Sequence, residues 1–142
     1  KAVAQHMGGE RLGVIINMSE PGAKLAIGGI LGHAVSSAGK ETFTRILAAE
    51  LGPKNIRVVG IRPHAMFDAP AAGSYTNEVF KPMATASGLS TEGFMEAMAQ
   101  GTMIKRLPTL SEVAETVAFL ASDNARSMTA TIVNITGGAT TD

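Results

Sequence analysis

The chain has 142 residues, 45% hydrophobic and 17% charged, enough to bury a core and too apolar for a disordered tail. Twelve Lys and Arg balance twelve Asp and Glu, and Lys105-Arg106 is the only adjacent basic pair, so nothing draws the chain to nucleic acid or to an anionic membrane. There is no cysteine, which excludes disulfides, thiolate metal sites and a cysteine nucleophile, and suits a reducing cytoplasm.

The chain begins at Lys1 rather than Met, within what reads as a helix carrying Ala2, Val3 and Met7; this points to a truncated or processed polypeptide. No apolar run with a cleavage site follows Lys1. Gly13 to Met18 is a short run, apolar on both faces, that reads as a buried parallel strand. A loop with Gly22, Gly28, Gly29 and Gly32 follows. The longest apolar stretch, Leu25 to Val35, is broken by three glycines and His33 and is too short to span a bilayer. From His33 to Leu51, Val35, Ala38, Phe43, Ile46, Leu47 and Leu51 recur at helical spacing, and Gly52-Pro53 ends the helix. Asn55 to Arg62 is a second strand, halted by Pro63.

Residues 64–102, rich in Ala, Met, Gly and Ser, hold two short helices near 76–87 and 91–100. Ser111 then caps a helix lined by Val113, Ala114, Val117, Ala118, Leu120 and Ala121. Thr131 to Ile135 is the last strand, closed by Gly137-Gly138. Right-handed crossovers between these elements give an α/β fold, a parallel sheet of about three strands with helices packed on it.

Four segments carry a family resemblance. Leu47-Ala-Ala-Glu-Leu-Gly-Pro53 followed by Asn55-Ile-Arg-Val-Val-Gly-Ile-Arg-Pro63 is similar to a helix-then-strand segment of short-chain dehydrogenases/reductases. Arg106-Leu-Pro, Glu112-Val-Ala and Val117-Ala-Phe-Leu-Ala-Ser-Asp123 resemble that family's last helix. Met128 to Gly138 resembles its closing strand and glycine pair. The resemblance implies a single domain over 1–142 that corresponds to the C-terminal half of such an enzyme, with a truncated Rossmann-like sheet. It also implies a nicotinamide cofactor, NAD or NADP, a small-molecule substrate, and a catalytic Ser, Tyr and Lys. The lysine lies four residues after the tyrosine, on the same helix face.

In this chain those positions are changed. The tyrosine position is His33, the lysine position is Ser37, and the serine position is Glu20, preceded by Ser19. An atypical branch of the family, which lacks the tyrosine–lysine pair, is similar in the stretches Lys105 to Leu110 and Met128 to Asn134. No Gly-x-x-x-Gly-x-Gly follows a strand and opens a helix, so the pyrophosphate cradle is missing. Gly28-Gly29-x-x-Gly32 reads as a flexible loop. The family's Pro-Gly, whose backbone touches the nicotinamide carboxamide, is Pro63-His64, and the histidine adds bulk there.

The resemblance brings Ser19, Glu20, His33, Ser36, Ser37, Pro63, His64 and Asp68 to the carboxyl edge of the sheet, where open α/β folds bind ligands. Ser19, Glu20 and His33 are the catalytic candidates, and Pro63 and His64 the cofactor contacts. Imidazole titrates near neutrality, which suits a general base. No fixed spacing such as His-x-x-x-His supports a metal. Tyr75 and His6 read as incidental, and Met66, Met83, Met95, Met98 and Met103 as core or an adaptable lid.

Three functions follow: an oxidoreductase-family protein weak or inactive on its own, a repurposed hydrolytic or metal-assisted enzyme using Glu20, His33 and His64, or a non-catalytic oligomerisation module. A strand edge left open at Val14–Met18 argues against a lone monomer. Family members pair through the helix corresponding to residues 33–51 and through the last strand, so a homo-oligomer is expected.

Overall fold

Side-chain alternation along three apolar runs builds the sheet. The strands β1 (Gly13–Met18), β2 (Ile56–Pro63) and β3 (Ile132–Ile135) are parallel, in the order β1-β2-β3. The structure, a computed structural model, describes residues 2–10 and 12–141. Gly13 lies opposite Ile56, Met18 opposite Ile61, and Gly60 opposite Ile132. A Cβ at Gly60 would overlap the end of the Ile132 side chain, which occupies the space left by the glycine. Every residue of β2 is buried, as a central strand covered on both faces must be.

The helices are α1 (Leu31–Leu51), α2 (Thr76–Ala86), α3 (Thr91–Gly101) and α4 (Leu110–Ala121). Period-two alternation sends Val59 and Ile61 to one face of β2, where they pack with Val113 and Leu120 of α4. Ile56 and Val58 point to the other face and meet Ala48 and Leu51 of α1. Arg57, on the α4 face, donates from its guanidinium to the carbonyls of Leu120, Ser122 and Met128, at 2.7, 3.3 and 3.2 Å. A cation there satisfies carbonyls that the end of α4 leaves unpaired. A third cluster, of Met95, Ala99 and Leu107 with Phe80 and Met98, joins α2 to α3.

Several boundaries differ from the sequence reading. Residues Ala4–His6 form a 3-10 turn rather than a helix, and Lys1 lies outside the described residues. Helix α1 starts at Leu31, two residues ahead of His33. Asn55 is a left-handed turn residue with φ 60°, a conformation Asn tolerates, so β2 starts one residue later. Ser111 does not cap α4. Thr109 does, in a capping box: its hydroxyl accepts the Glu112 N–H at 3.2 Å and its own N–H donates to Glu112 at 2.9 Å. Glu112 also takes a bidentate hydrogen bond from Arg106, and these contacts hold its carboxyl at about 2.

The largest difference is the orientation of α1. Val35, Phe43 and Ile46, whose spacing suggested a core face, are 64%, 56% and 58% exposed. The buried stripe is Ser37, Glu41, Thr44, Ala48 and Leu51. Three of these five are polar, and that part rests on polar side chains of the sheet.

Candidate active-site edge

The polar part of the α1 stripe meets the carboxyl ends of β1 and β2. Alternation along β1 turns Asn17 and Ser19 toward α1, and Arg62 on β2 faces the same way. The Asn17 amide donates to the Thr44 hydroxyl at 3.0 Å, and the Ser19 hydroxyl donates to Glu41 Oε1 at 2.8 Å. Arg62 grips Glu41 with two bonds, Nε to Oε1 at 2.7 Å and Nη2 to Oε2 at 3.0 Å. The side chains of the pair are 1% and 5% exposed. A third guanidinium nitrogen, Nη1, donates to the Thr140 hydroxyl at 3.3 Å, beyond β3. Burial opposes charge on Glu41, but the bonds from Arg62 and Ser19, with the nearby Arg62 and Lys24 charges, hold its carboxyl below the usual glutamate value.

Next to this network lie the residues singled out in the sequence. Glu20 Oε2 accepts the Gly22 N–H at 2.7 Å, which caps a 3-10 turn over Pro21–Ala23. The same oxygen is 3.5 Å from His33 Nε2, and His33 is 61% exposed on the first turns of α1. Glu20 Oε1 is buried and has no hydrogen-bond partner among the described residues. Ser37, one turn beyond His33, is fully buried, and its hydroxyl too lacks a partner among the described residues.

His64 sits after β2, half-buried. Its N–H donates to the Ile135 carbonyl at 3.2 Å, and its Nδ1 accepts the Ala65 N–H at 2.7 Å. An accepting Nδ1 assigns the neutral ring's proton to Nε2. Burial pushes the His64 pKa down, and the charge of Glu20 partly offsets that. Glu20 is therefore electrostatically coupled to His64 as well as in contact with His33.

The structure thus brings Glu20 to His33, and not Ser19 to His33: the Ser19 hydroxyl is spent on Glu41. Among the described residues no three His, Asp or Glu side chains are grouped to hold a metal ion, so Glu20, His33 and His64 do not assemble as a ligand set. Asp68 is elsewhere, with Oδ1 accepting the Leu110 N–H at 2.9 Å at the start of α4. Tyr75 is 74% exposed at the head of α2. His6 is exposed in the 3-10 turn. Met95 is buried between α2 and α3, whereas Met103 is 68% exposed. The sequence reading missed Glu41, Thr44 and Arg62. A signal for them exists: polar residues at helical spacing along α1 face polar residues at alternate positions of two strands.

A parallel sheet with helices on both faces and polar side chains gathered at its carboxyl edge defines a Rossmann-like α/β protein. Residues 1–140 match the family described as enoyl-(acyl carrier protein) reductase. The sorbitol-6-phosphate 2-dehydrogenase of Klebsiella pneumoniae is 34% identical over 99% of this chain, which covers 52% of that protein. Among solved structures, the sorbitol-6-phosphate 2-dehydrogenase of Erwinia amylovora superposes with a TM-score of 0.77 at 22% identity, over 92% of this chain and 49% of its own. An actinorhodin polyketide ketoreductase with NADPH gives 0.76 at 29% identity, over 90% and 47%. The chain belongs to the short-chain dehydrogenase/reductase family. It spans about half the length of the curated relatives it matches.

Proposed function

We propose that this chain carries the substrate-side edge of a short-chain oxidoreductase and has little carbonyl-reducing activity by itself. The observation that carries this reading is Ser37. It occupies the position the family gives to lysine, and its hydroxyl is buried at the foot of an exposed His33. A lysine ammonium lowers the pKa of the neighbouring tyrosine in the family, and a neutral hydroxyl supplies no charge for that purpose. Hydride transfer is the chemistry NAD or NADP supplies when bound, and the family implies one of them. Pro63 has no backbone N–H, and that of His64 is spent on Ile135, so neither backbone has an N–H left to donate to a carboxamide oxygen.

The test is a fluorescence titration of the isolated chain with NADH and NADPH. Binding weaker than millimolar is expected, and sub-millimolar binding would refute the proposal.

A second reading rests on the Glu20–His33 contact. A carboxylate beside an imidazole orients the ring and supports general acid–base work, so proton transfer to a small-molecule substrate at this edge falls to His33 backed by Glu20. A His33→Ala variant that processes carbonyl, ester and lactone substrates at the wild-type rate removes this reading.

The same proposal places a second copy of the chain on the exposed apolar residues of α1 and on the outer edge of β3. Leu31, Val35, Phe43 and Ile46 support it, being 79%, 64%, 56% and 58% exposed. A clean monomer in light scattering contradicts it. The cysteine-free composition supports a cytoplasmic location, and among the described residues no helix is long and apolar enough to cross a membrane.

A further inference from the structure

We infer that the buried Glu41–Arg62 pair is a positioning device that holds Glu20 and His64 in register at the carboxyl edge of the sheet; the inference rests on the reading of that edge as the reactive one.

The pair joins four parts of the chain that share no covalent link nearby. Glu41 belongs to α1 and Arg62 to the end of β2. Ser19, at the end of β1, donates to Glu41 Oε1. Thr140, after β3, accepts from Arg62 and is tied by its N–H and hydroxyl to Thr136, whose hydroxyl donates to Asn134 at 2.6 Å. Each member stands next to a residue of the edge. Ser19 precedes Glu20 directly, and Arg62 precedes His64 by two residues. Glu41 lies two helical turns beyond His33, on the face of α1 that Ser37 also occupies. The carboxyl ends of neighbouring strands are also joined there by ladder bonds such as Ser19 N–H to Ile61 O, at 2.9 Å, and by the longer Ser19 hydroxyl contact to the same carbonyl, at 3.4 Å.

Stability alone is a weak reason for such a pair. Removing two charges from water costs several kcal/mol per ion, and apolar side chains of similar volume commonly serve as well. A bidentate guanidinium–carboxylate contact provides direction instead: its planar fork fixes distance and angle together, which packed methyl groups do not. The other end of the same helix has that apolar solution, with Ala48 and Leu51 on Ile56 and Val58. The polar solution appears only where Glu20, His33 and His64 stand.

The experiment reads the coupling between Glu20 and His64 and needs neither substrate nor nucleotide. The His64 ring is titrated by NMR, its signal assigned with a His64→Gln variant. It is followed with and without Glu20→Gln, first in the wild-type background and then in Glu41→Leu/Arg62→Met. The double substitution removes both charges together and strands neither. In the wild-type background, Glu20→Gln lowers the His64 midpoint, because a carboxylate that favoured the charged ring is gone. In the double variant the same substitution leaves the midpoint unmoved, while the melting transition stays cooperative. An equal Glu20→Gln shift in both backgrounds overturns the inference, since the pair is then only structural.

Ser19→Ala provides a second route should the double variant fail to fold. It cuts the link from β1 to Glu41 and leaves the ion pair intact. It is expected to shrink the Glu20–His64 coupling, and an unchanged coupling overturns the inference equally. Nucleotide binding does not enter these measurements, so failure here is distinct from failure of the proposed function.

Discussion

The two ends of α1 bury different chemistry against the same sheet. Toward the C-terminus, Ala48 and Leu51 pack on Ile56 and Val58, an apolar contact whose strength follows area and tolerates small shifts. Toward the N-terminus, Glu41 and Thr44 face Asn17, Ser19 and Arg62 through directed hydrogen bonds, and Ser37 is buried beside them. The first end secures the helix to the strands. The second sets where the strand ends lie, and there the residues with proton-transfer chemistry gather. A helix can thus hold the fold with one half and shape a site with the other.

The largest effect expected from breaking this contrast is at the polar end. Glu41→Ala leaves Arg62 buried without its carboxylate, and urea denaturation should show a loss of about 3–5 kcal/mol. A loss no larger than at a surface position would mean that the guanidinium reaches water. The same pair gives an acid limb. The Glu41 carboxyl is held below the unfolded value in the folded chain, so its contribution is complete above that unfolded value, about 4.3, and is lost as pH falls through the folded one. Thermal melts between neutral pH and strong acid should show this fall, and Glu41→Gln should flatten it.

At the apolar end, Leu51→Ala should cost about 2–5 kcal/mol and Ile56→Val about 0.5–1.5 kcal/mol in the same assay, as for other core truncations. Neither should change the Glu20–His64 coupling. Away from both ends, Thr109→Ala removes the capping hydroxyl of α4 and should cost about 1 kcal/mol. Smallest is Phe43→Glu on the exposed face of α1, expected within about 0.5 kcal/mol for the monomer. The same substitution should abolish self-association in light scattering, and unchanged association would move the contact to another surface.

The sheet was legible because its signals are local. Apolar runs bounded by glycine and proline gave β1 without error and β2 and β3 to within a residue. The family resemblance placed His33 and Ser37 on one helix and Glu20 at the end of β1, and the structure brings Glu20 to His33. The buried face of α1 was not legible from hydrophobicity, because Val35, Phe43 and Ile46 point outward and Glu41 points in. Burial of a glutamate becomes readable only when Arg62 and Ser19 are known to face it, a pairing made across 21 and 22 residues of sequence. The cap of α4 was misread for a different reason. Ser111 and Thr109 are both good cap residues, and Glu112, three places after Thr109, decides between them through the capping box.

The most direct test of the account is NADPH consumption by the purified 142-residue chain with a panel of aldehydes and ketones. Consumption at the level of the enzyme-free blank is the predicted result, because Ser37 carries no ammonium and Pro63 and His64 offer no free backbone N–H. Sustained turnover that His33→Ala abolishes would contradict it.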